Sequence, residues 1–398
     1  LGATNLVTGR GRDKRSRLLA AVPLLLALLG GEAAAQPWAD TGARVAGRQA
    51  LAAAQAGRFL EADSVALAAD PLVRKLVGWW RVQTRGSGAT GAEIARWMAE
   101  NPDWPLPETI ARRAEEALAN DPDDATVLAH FSRTPPRGIE AAGRFAEALA
   151  RAGRGRDAVA PVREAWRSGP PGDPGLEASF ADRFANVLST DDHWRRFDRL
   201  LWENQAAAAA RVVPRLDPAR RTVAEARLAL RGEREVEIGA ARDIGLVHDR
   251  ARLLRRRDRD AEAAAAWRAG EGLQRNLPPE AARAIWTERQ VLARKLLRLG
   301  DPAAAYRVAA NHGQEAAGEP RQEGEFLAGF IALRRLRDAA GAERHFARIA
   351  EGSTSVITRA RAHYWRGLAL ASRGAEAEAR AAWTEAAALP VAFYGQLA

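Results

Sequence analysis

The sequence has no cysteine, which excludes disulfides and thiolate metal sites outright and leaves the redox compartment to be read from other features. Aromatic residues make up only 6% of the 398, and β-branched residues are sparse. Ala, Leu, Arg and Glu dominate instead, residues that lose little side-chain entropy in a helix, so helix is expected along the whole chain. No HExxH, no pair of histidines four apart and no GxSxG is present. The apolar run Leu18 to Leu29 is too short to span a bilayer and is interrupted by Pro23. With 47% apolar residues the chain nonetheless has enough to bury one or more large cores.

That short apolar run has a different meaning in its setting. Lys14, Arg15 and Arg17 precede it and Ala33-Ala34-Ala35 follows, giving the basic, apolar and small-residue parts of a secretory signal. Residues 1–35 are therefore expected to be a cleaved signal peptide and the mature protein to be periplasmic. Cleavage removes five basic and two acidic residues, so the formal charge of +10 becomes +7. A basic excess suits an anionic partner. Most arginines, however, stand among glutamates at helical spacing, as in Arg112-Arg113-Ala114-Glu115-Glu116, and the run Arg255-Arg256-Arg257 is flanked by Asp258 and Asp260. Both patterns are expected to be solvated helix faces.

From residue 51 onward short amphipathic segments alternate with Gly, Pro or Asp. Phe326, Phe330 and Leu333 stand at i, i+4 and i+7, and Ala342, Phe346 and Ile349 repeat the spacing. A break followed by an Ala-rich segment and then a large aromatic recurs: Gly155 to Trp166, Asp258 to Trp267, Asp338 to Phe346, Gly374 to Trp383. Successive breaks at Asp258, Gly300, Asp338 and Gly374 are 42, 38 and 36 residues apart, near the period of tetratricopeptide-like helical hairpins. One hairpin cannot bury its apolar face alone, so hairpins stack, alanines permit close approach and the aromatic fills the gap. The expected fold is an all-α superhelix of such hairpins, curved or ring-shaped. The Gly/Pro-rich stretch 168–175 is expected to be a loop, and a second break around 231–245 suggests a division near residue 235 into parts 36–235 and 236–398.

Candidate chemistry is thin. Gly86-Ser87-Gly88-Ala89-Thr90-Gly91 has the spacing of a dinucleotide loop but lacks the preceding strand, and reads as a helix connection. The histidines His130, His193, His248, His312, His345 and His363 form no local cluster, although a triad can assemble in space from distant positions. Asp123-Asp124 and Asp191-Asp192 are paired carboxylates, expected at helix N-termini as caps rather than as an acid/base pair. Trp79, Trp80, Trp97 and Trp104 crowd one stretch, either a sugar-stacking platform or, as the helical spacing favours, core filling.

Several segments taken in order carry a resemblance. They are Leu72-Val73-Arg74-Lys75-Leu76-Val77-Gly78-Trp79-Trp80, Asn101-Pro102-Asp103-Trp104-Pro105 with Arg112-Arg113-Ala114-Glu115, the hairpin from Gly153 to Trp166, Arg195-Arg196-Phe197-Asp198-Arg199-Leu200-Leu201-Trp202, and His248-Asp249-Arg250-Ala251-Arg252. The most specific are Ala362-His363-Tyr364-Trp365-Arg366-Gly367 and the segment from Pro390 to Ala398. Over roughly residues 45 to 398 the chain resembles the N-terminal superhelical domain of soluble lytic murein transglycosylases. The resemblance implies a periplasmic arm preceding a lysozyme-like domain whose single Glu, in a Glu-Ser context, cleaves the MurNAc-GlcNAc bond to a 1,6-anhydro product. The sequence has no Glu-Ser dipeptide, so no catalytic residue is carried over. The expectation is a truncated, non-catalytic arm without cofactor or metal, binding peptidoglycan and possessing no nucleic-acid partner. The alternative is a tetratricopeptide-like adaptor for an envelope protein. Exposed apolar surface is expected near Phe393 and Tyr394.

Overall fold

A computed structural model describes residues 41–237 and 242–398. The expected signal peptide lies outside the described residues. Within them the protein is all-α, with twenty-one α-helices and no strand, most helices packing chiefly on their neighbours in sequence. The helical-hairpin architecture expected from the repeat spacing is thus present. No described helix is long and apolar enough to cross a membrane. The chain separates into two compact units, one ending at Arg133 and the other running from Thr134 to Ala398. Residue 235 falls inside the second unit, in the irregular stretch after the helix ending at Arg231.

The first unit holds α1 (Thr41–Gln55), α2 (Phe59–Ala66), α3 (Pro71–Gln83), α4 (Gly91–Glu100), α5 (Pro107–Leu118) and α6 (Asp124–Phe131). Its helix starts are written locally. Asp70 accepts from the Leu72 amide just ahead of Pro71, and Thr90 and Glu93 form a reciprocal capping box. Asp123 accepts from the amides of Ala125 and Thr126, the capping role expected for it. Ala50, Ala53 and Ala54 of α1 pack on Phe59, Ala62 and Ala66 of α2 and Val77 of α3. A second core joins Val82, Ile94, Ile110 and Ala114.

The second unit begins with α7 (Ile139–Arg151), α8 (Val159–Ser168), α9 (Pro174–Arg183), α10 (Thr190–Trp202), α11 (Ala206–Val212) and α12 (Pro218–Arg231). It continues through α13 (Ile244–Arg256), α14 (Asp260–Ala269), α15 (Pro279–Arg298), α16 (Pro302–Ala310) and α17 (Glu319–Ile331). It ends with α18 (Ala339–Ile349), α19 (Val356–Ser372), α20 (Glu376–Ala387) and α21 (Phe393–Leu397). The loop expected at 168–175 is shorter, 169–173, because Ser168 still belongs to α8 and Pro174 opens α9, which Asp173 caps. Three of the recurring breaks, Asp258, Gly300 and Gly374, reverse the chain through left-handed φ near 58°, 87° and 80°, and at the fourth the left-handed residue is Arg337, near 61°, just before Asp338. Trp166, Trp267 and Phe346 are buried after their breaks, while Trp383 is half-buried. The largest core joins α13 to α17 around Trp267, Ile285, Leu292 and Ile331.

Candidate functional site

The sequence-predicted candidates sort cleanly once placed. Gly86 to Gly91 is the α3–α4 connection, with Gly86 and Gly88 at left-handed φ and no strand before it. Asp192 completes a capping box with Ser189 at the start of α10, and Asp191 pairs instead with Arg195 and Arg220. The run Arg255 to Arg257 is tied down by Glu288, Glu233 and Glu235 respectively, and Asp258 and Asp260 turn to Lys295. Among the described residues no group of three or more His, Asp or Glu could hold a metal ion. Two of the scattered histidines do converge: His345 Nδ1 lies 2.6 Å and His312 Nε2 3.4 Å from the buried Glu325 carboxylate. Tyr306 Oη stands 3.0 Å from the other ring nitrogen of His345.

Trp79, Trp80, Trp97 and Trp104 of the first unit are all half-buried. Trp80 packs into the α1–α3 core. Trp79, Trp97 and Trp104 form a half-buried group, Trp104 lying 5.6 Å from Trp97 edge-to-face and 6.0 Å from Trp79. The Trp79 indole donates to the Pro105 carbonyl at 3.0 Å, which ties the loop before α5 to α3. The exposed Lys75 ammonium stands 5.2 Å from the Trp104 ring centroid, in cation–π range. Core filling, favoured by spacing, therefore holds in part for Trp80 on the α1–α3 core and equally for Trp79 and Trp97 on the Val82–Ile94–Ile110–Ala114 core, all three rings half-buried, while Trp104 lies against Trp79 and Trp97 with the Lys75 ammonium over its ring.

A pattern invisible in composition recurs in the second unit: a buried guanidinium lies on a buried indole. Arg196 Cζ is 4.4 Å from the Trp166 ring centroid, Arg227 4.9 Å from Trp202, and Arg289 4.2 Å from Trp267. Each arginine is at most 1% exposed. Removing such a charge from water is costly unless a counter-charge accompanies it. The first two have one. Arg196 Nη2 bonds Glu177 at 2.6 Å, and Arg211 holds the other oxygen of the same carboxylate. Arg227 bonds Asp249 at 3.0 Å and Asp198 at 2.5 Å, while Arg231 and His248 complete the ring around Asp249. Burial opposes the charge on Arg227, but Asp249 and Asp198 outweigh it and push its pKa up. The same reciprocity drives Asp249 below the usual carboxylate range despite its burial.

Arg289, near the middle of α15, has no such partner. Its Nη1 donates to the Val308 carbonyl at 3.1 Å, while Nε and Nη2 are buried without an acceptor. Burial holds its pKa below the normal arginine value, with the charge on Glu271 acting the other way. The Trp267 indole N–H beside it is likewise buried and unsatisfied. Both side chains line a cavity of about 180 Å³ between α14, α15 and α16, whose other charged residues are Arg268, Glu271, Asp301 and Arg307. The space exists because α14 and α16 turn alanines, among them Ala264 and Ala304, toward it. Sequence reasoning passed over these buried arginines because Arg reads as surface. The available signal was phase: Arg289 shares the apolar stripe of Ile285, Trp286, Leu292 and Ala293.

At the end of the second unit Val391, Phe393 and Leu397 are exposed, Phe393 at 65%, whereas Tyr394 is half-buried 5.4 Å from the Tyr364 ring. Compared with known proteins, no family model matches the chain and no curated protein matches it.

Proposed function

We propose that the chain is a non-catalytic helical-repeat arm of the soluble lytic murein transglycosylase type, exported to the periplasm, which docks peptidoglycan or positions a catalytic domain on it. The supporting observation is the half-covered group Trp79, Trp97 and Trp104 with Lys75 at its edge. Sugar rings present C–H faces that stack on indoles, and the carboxylates of a peptidoglycan strand suit an adjacent ammonium.

The test is co-sedimentation of the purified protein with sacculi, together with analysis of released muropeptides. Saturable sedimentation that Trp104→Ala and Lys75→Ala each weaken, with no anhydro-muropeptide released, is the expected result. Failure to sediment sinks the docking role, and release of anhydro products sinks the non-catalytic one. The exposed Val391, Phe393 and Leu397 favour a second reading, a periplasmic adaptor taking an envelope protein. It requires saturable binding of one such protein and none of sacculi.

A further inference from the structure

The basic excess of the chain belongs to its second unit. Residues 134–398 hold 44 Lys and Arg against 35 Asp and Glu, whereas 41–133 hold 11 against 12. Within that unit the hairpin turns at Asp258, Gly300, Arg337 and Gly374 share one edge of the stack, because side chains tie each turn to the next. Lys295, five residues before Gly300, holds Asp258 at 2.6 Å and Asp260 at 2.9 Å. Tyr306, five residues after Asp301, meets His345, seven residues after Asp338, and feels the Asp338 charge. Arg373, beside Gly374, pairs at 3.4 Å with Glu343, five residues after Asp338.

The turns differ in how their arginines are answered. At the first, Arg256, Arg257 and Arg259 are held by Glu233, Glu235 and Glu262. At the next two, Arg298 and then Arg334, Arg335 and Arg337 are exposed and enter no ion pair among the described residues. The acidic residues of these turns, Asp301 and Asp338, are engaged in capping the Ala304 and Gly341 amides. Leu299, between Arg298 and Gly300, is 66% exposed. The helix dipole favours a basic residue at a helix C-terminus, but it gives no reason for a leucine left in water at the same tip.

We propose that this edge of the second unit docks on the surface of an anionic lipid bilayer, with Arg298, Arg334, Arg335 and Arg337 on lipid phosphates and Leu299 entering the headgroup layer. Shape selects the partner, since turns along one edge meet a flat surface together, whereas a peptide or glycan strand seats in a groove. Guanidinium forks match phosphate oxygens, and the leucine gains by leaving water. The contact stays at the surface, as no described helix is long and apolar enough to cross a membrane. The inference does not rest on the glycan-docking reading, which concerns the aromatic group of the first unit.

The chain from Gln36 to Ala398, which contains every described core and lacks the apolar run Leu18 to Leu29, is sedimented with vesicles of phosphatidylcholine alone or with about 30% phosphatidylglycerol. Binding to the acidic vesicles is expected to exceed binding to the neutral ones at least about tenfold, and to fall at least about fivefold between ~0.1 M and ~0.5 M salt. Each arginine near an anionic leaflet is worth about fivefold in partition, so the triple variant Arg334→Gln, Arg335→Gln, Arg337→Gln is expected to lose at least about tenfold. Leu299→Ser is expected to lose about threefold. A second triple, Arg275→Gln, Arg283→Gln, Arg359→Gln, removes the same charge from exposed positions away from the tips, Arg283 standing about 22 Å along α15 from Arg298. It is expected to stay within about twofold of wild type, that distance exceeding the screening length. All these residues are exposed, so the variants are expected to melt with wild type. The proposal is overturned if acidic vesicles bind no better than neutral ones, if the two triples lose binding equally, or if polyglutamate, standing for an acidic protein segment, binds more tightly per charge than the vesicles.

Discussion

At the scale of single residues, three arginines equally removed from water answer to different ledgers. Arg227 bridges the buried Asp249 and the half-buried Asp198, so Arg227→Met takes their shared counter-charge away and is expected to cost about 3–5 kcal/mol. Arg289→Met removes an unpaired charge and keeps the apolar contact on Trp267, so it is expected to be neutral or stabilising by ~1 kcal/mol or more. Urea midpoints of the two variants check both. A lower midpoint for Arg289→Met than for Arg227→Met would reverse the argument. Glu325 gives a pH dependence. Burial pushes its pKa up, but hydrogen bonds from His312 and His345 bring it down from the ordinary 4.5 to about 2. A depressed carboxylate contributes stability that is fully present above the unfolded value and is lost as pH falls through the folded one, so the window is pH 4.5 down to 2. The contribution is on the order of 3 kcal/mol. The stability difference between wild type and Glu325→Gln is therefore expected to shrink between pH 6 and pH 3, and a difference constant with pH would remove the histidines from the explanation.

At the scale of helices, close approach is set by glycines facing aromatics. A Cβ on Gly329 of α17 would come 2.6 Å from the Phe346 ring of α18, and one on Gly367 of α19 would come 2.3 Å from the Trp383 indole of α20. Gly329→Ala and Gly367→Ala are each expected to destabilise by about 1–3 kcal/mol through overpacking. Gly155→Ala, with nothing within 4 Å of the added carbon and no left-handed φ, is expected to stay within ~0.5 kcal/mol of wild type. Thermal melts of the three variants rank them, and equal losses would show that helix flexibility rather than ring contact decides. These aromatics were legible in the sequence: Phe346 and Trp383 stand eight and nine residues after Asp338 and Gly374, where a hairpin needs a filler. So were the capping of α6 by Asp123 and the loop before α9, because caps and turns are local chemistry. The Arg227 network was not, because its partners Asp198 and Asp249 lie 29 and 22 residues away and meet it only after α10, α12 and α13 pack. The cavity over Arg289 was less legible still, since the alanines that signal close packing elsewhere here line open space.

At the scale of the whole molecule, packing between sequence neighbours makes stability a sum of local terms rather than one indivisible quantity. Most helices of the second unit contact mainly the helices before and after them, so a defect in one hairpin is felt by its neighbours and fades beyond them. Arg227→Met is the sharpest probe because α12 carries the residue and its two carboxylates sit on α10 and α13. Amide hydrogen exchange read by mass spectrometry is expected to accelerate in α10, α12 and α13, by about 100-fold or more where opening carries the full loss of 3–5 kcal/mol. The α19–α20 hairpin and the six helices of the first unit are expected to exchange as in wild type. If exchange instead accelerates evenly through both units, the chain unfolds as one cooperative body, and the hairpins are repeats in sequence spacing without being independent in energy.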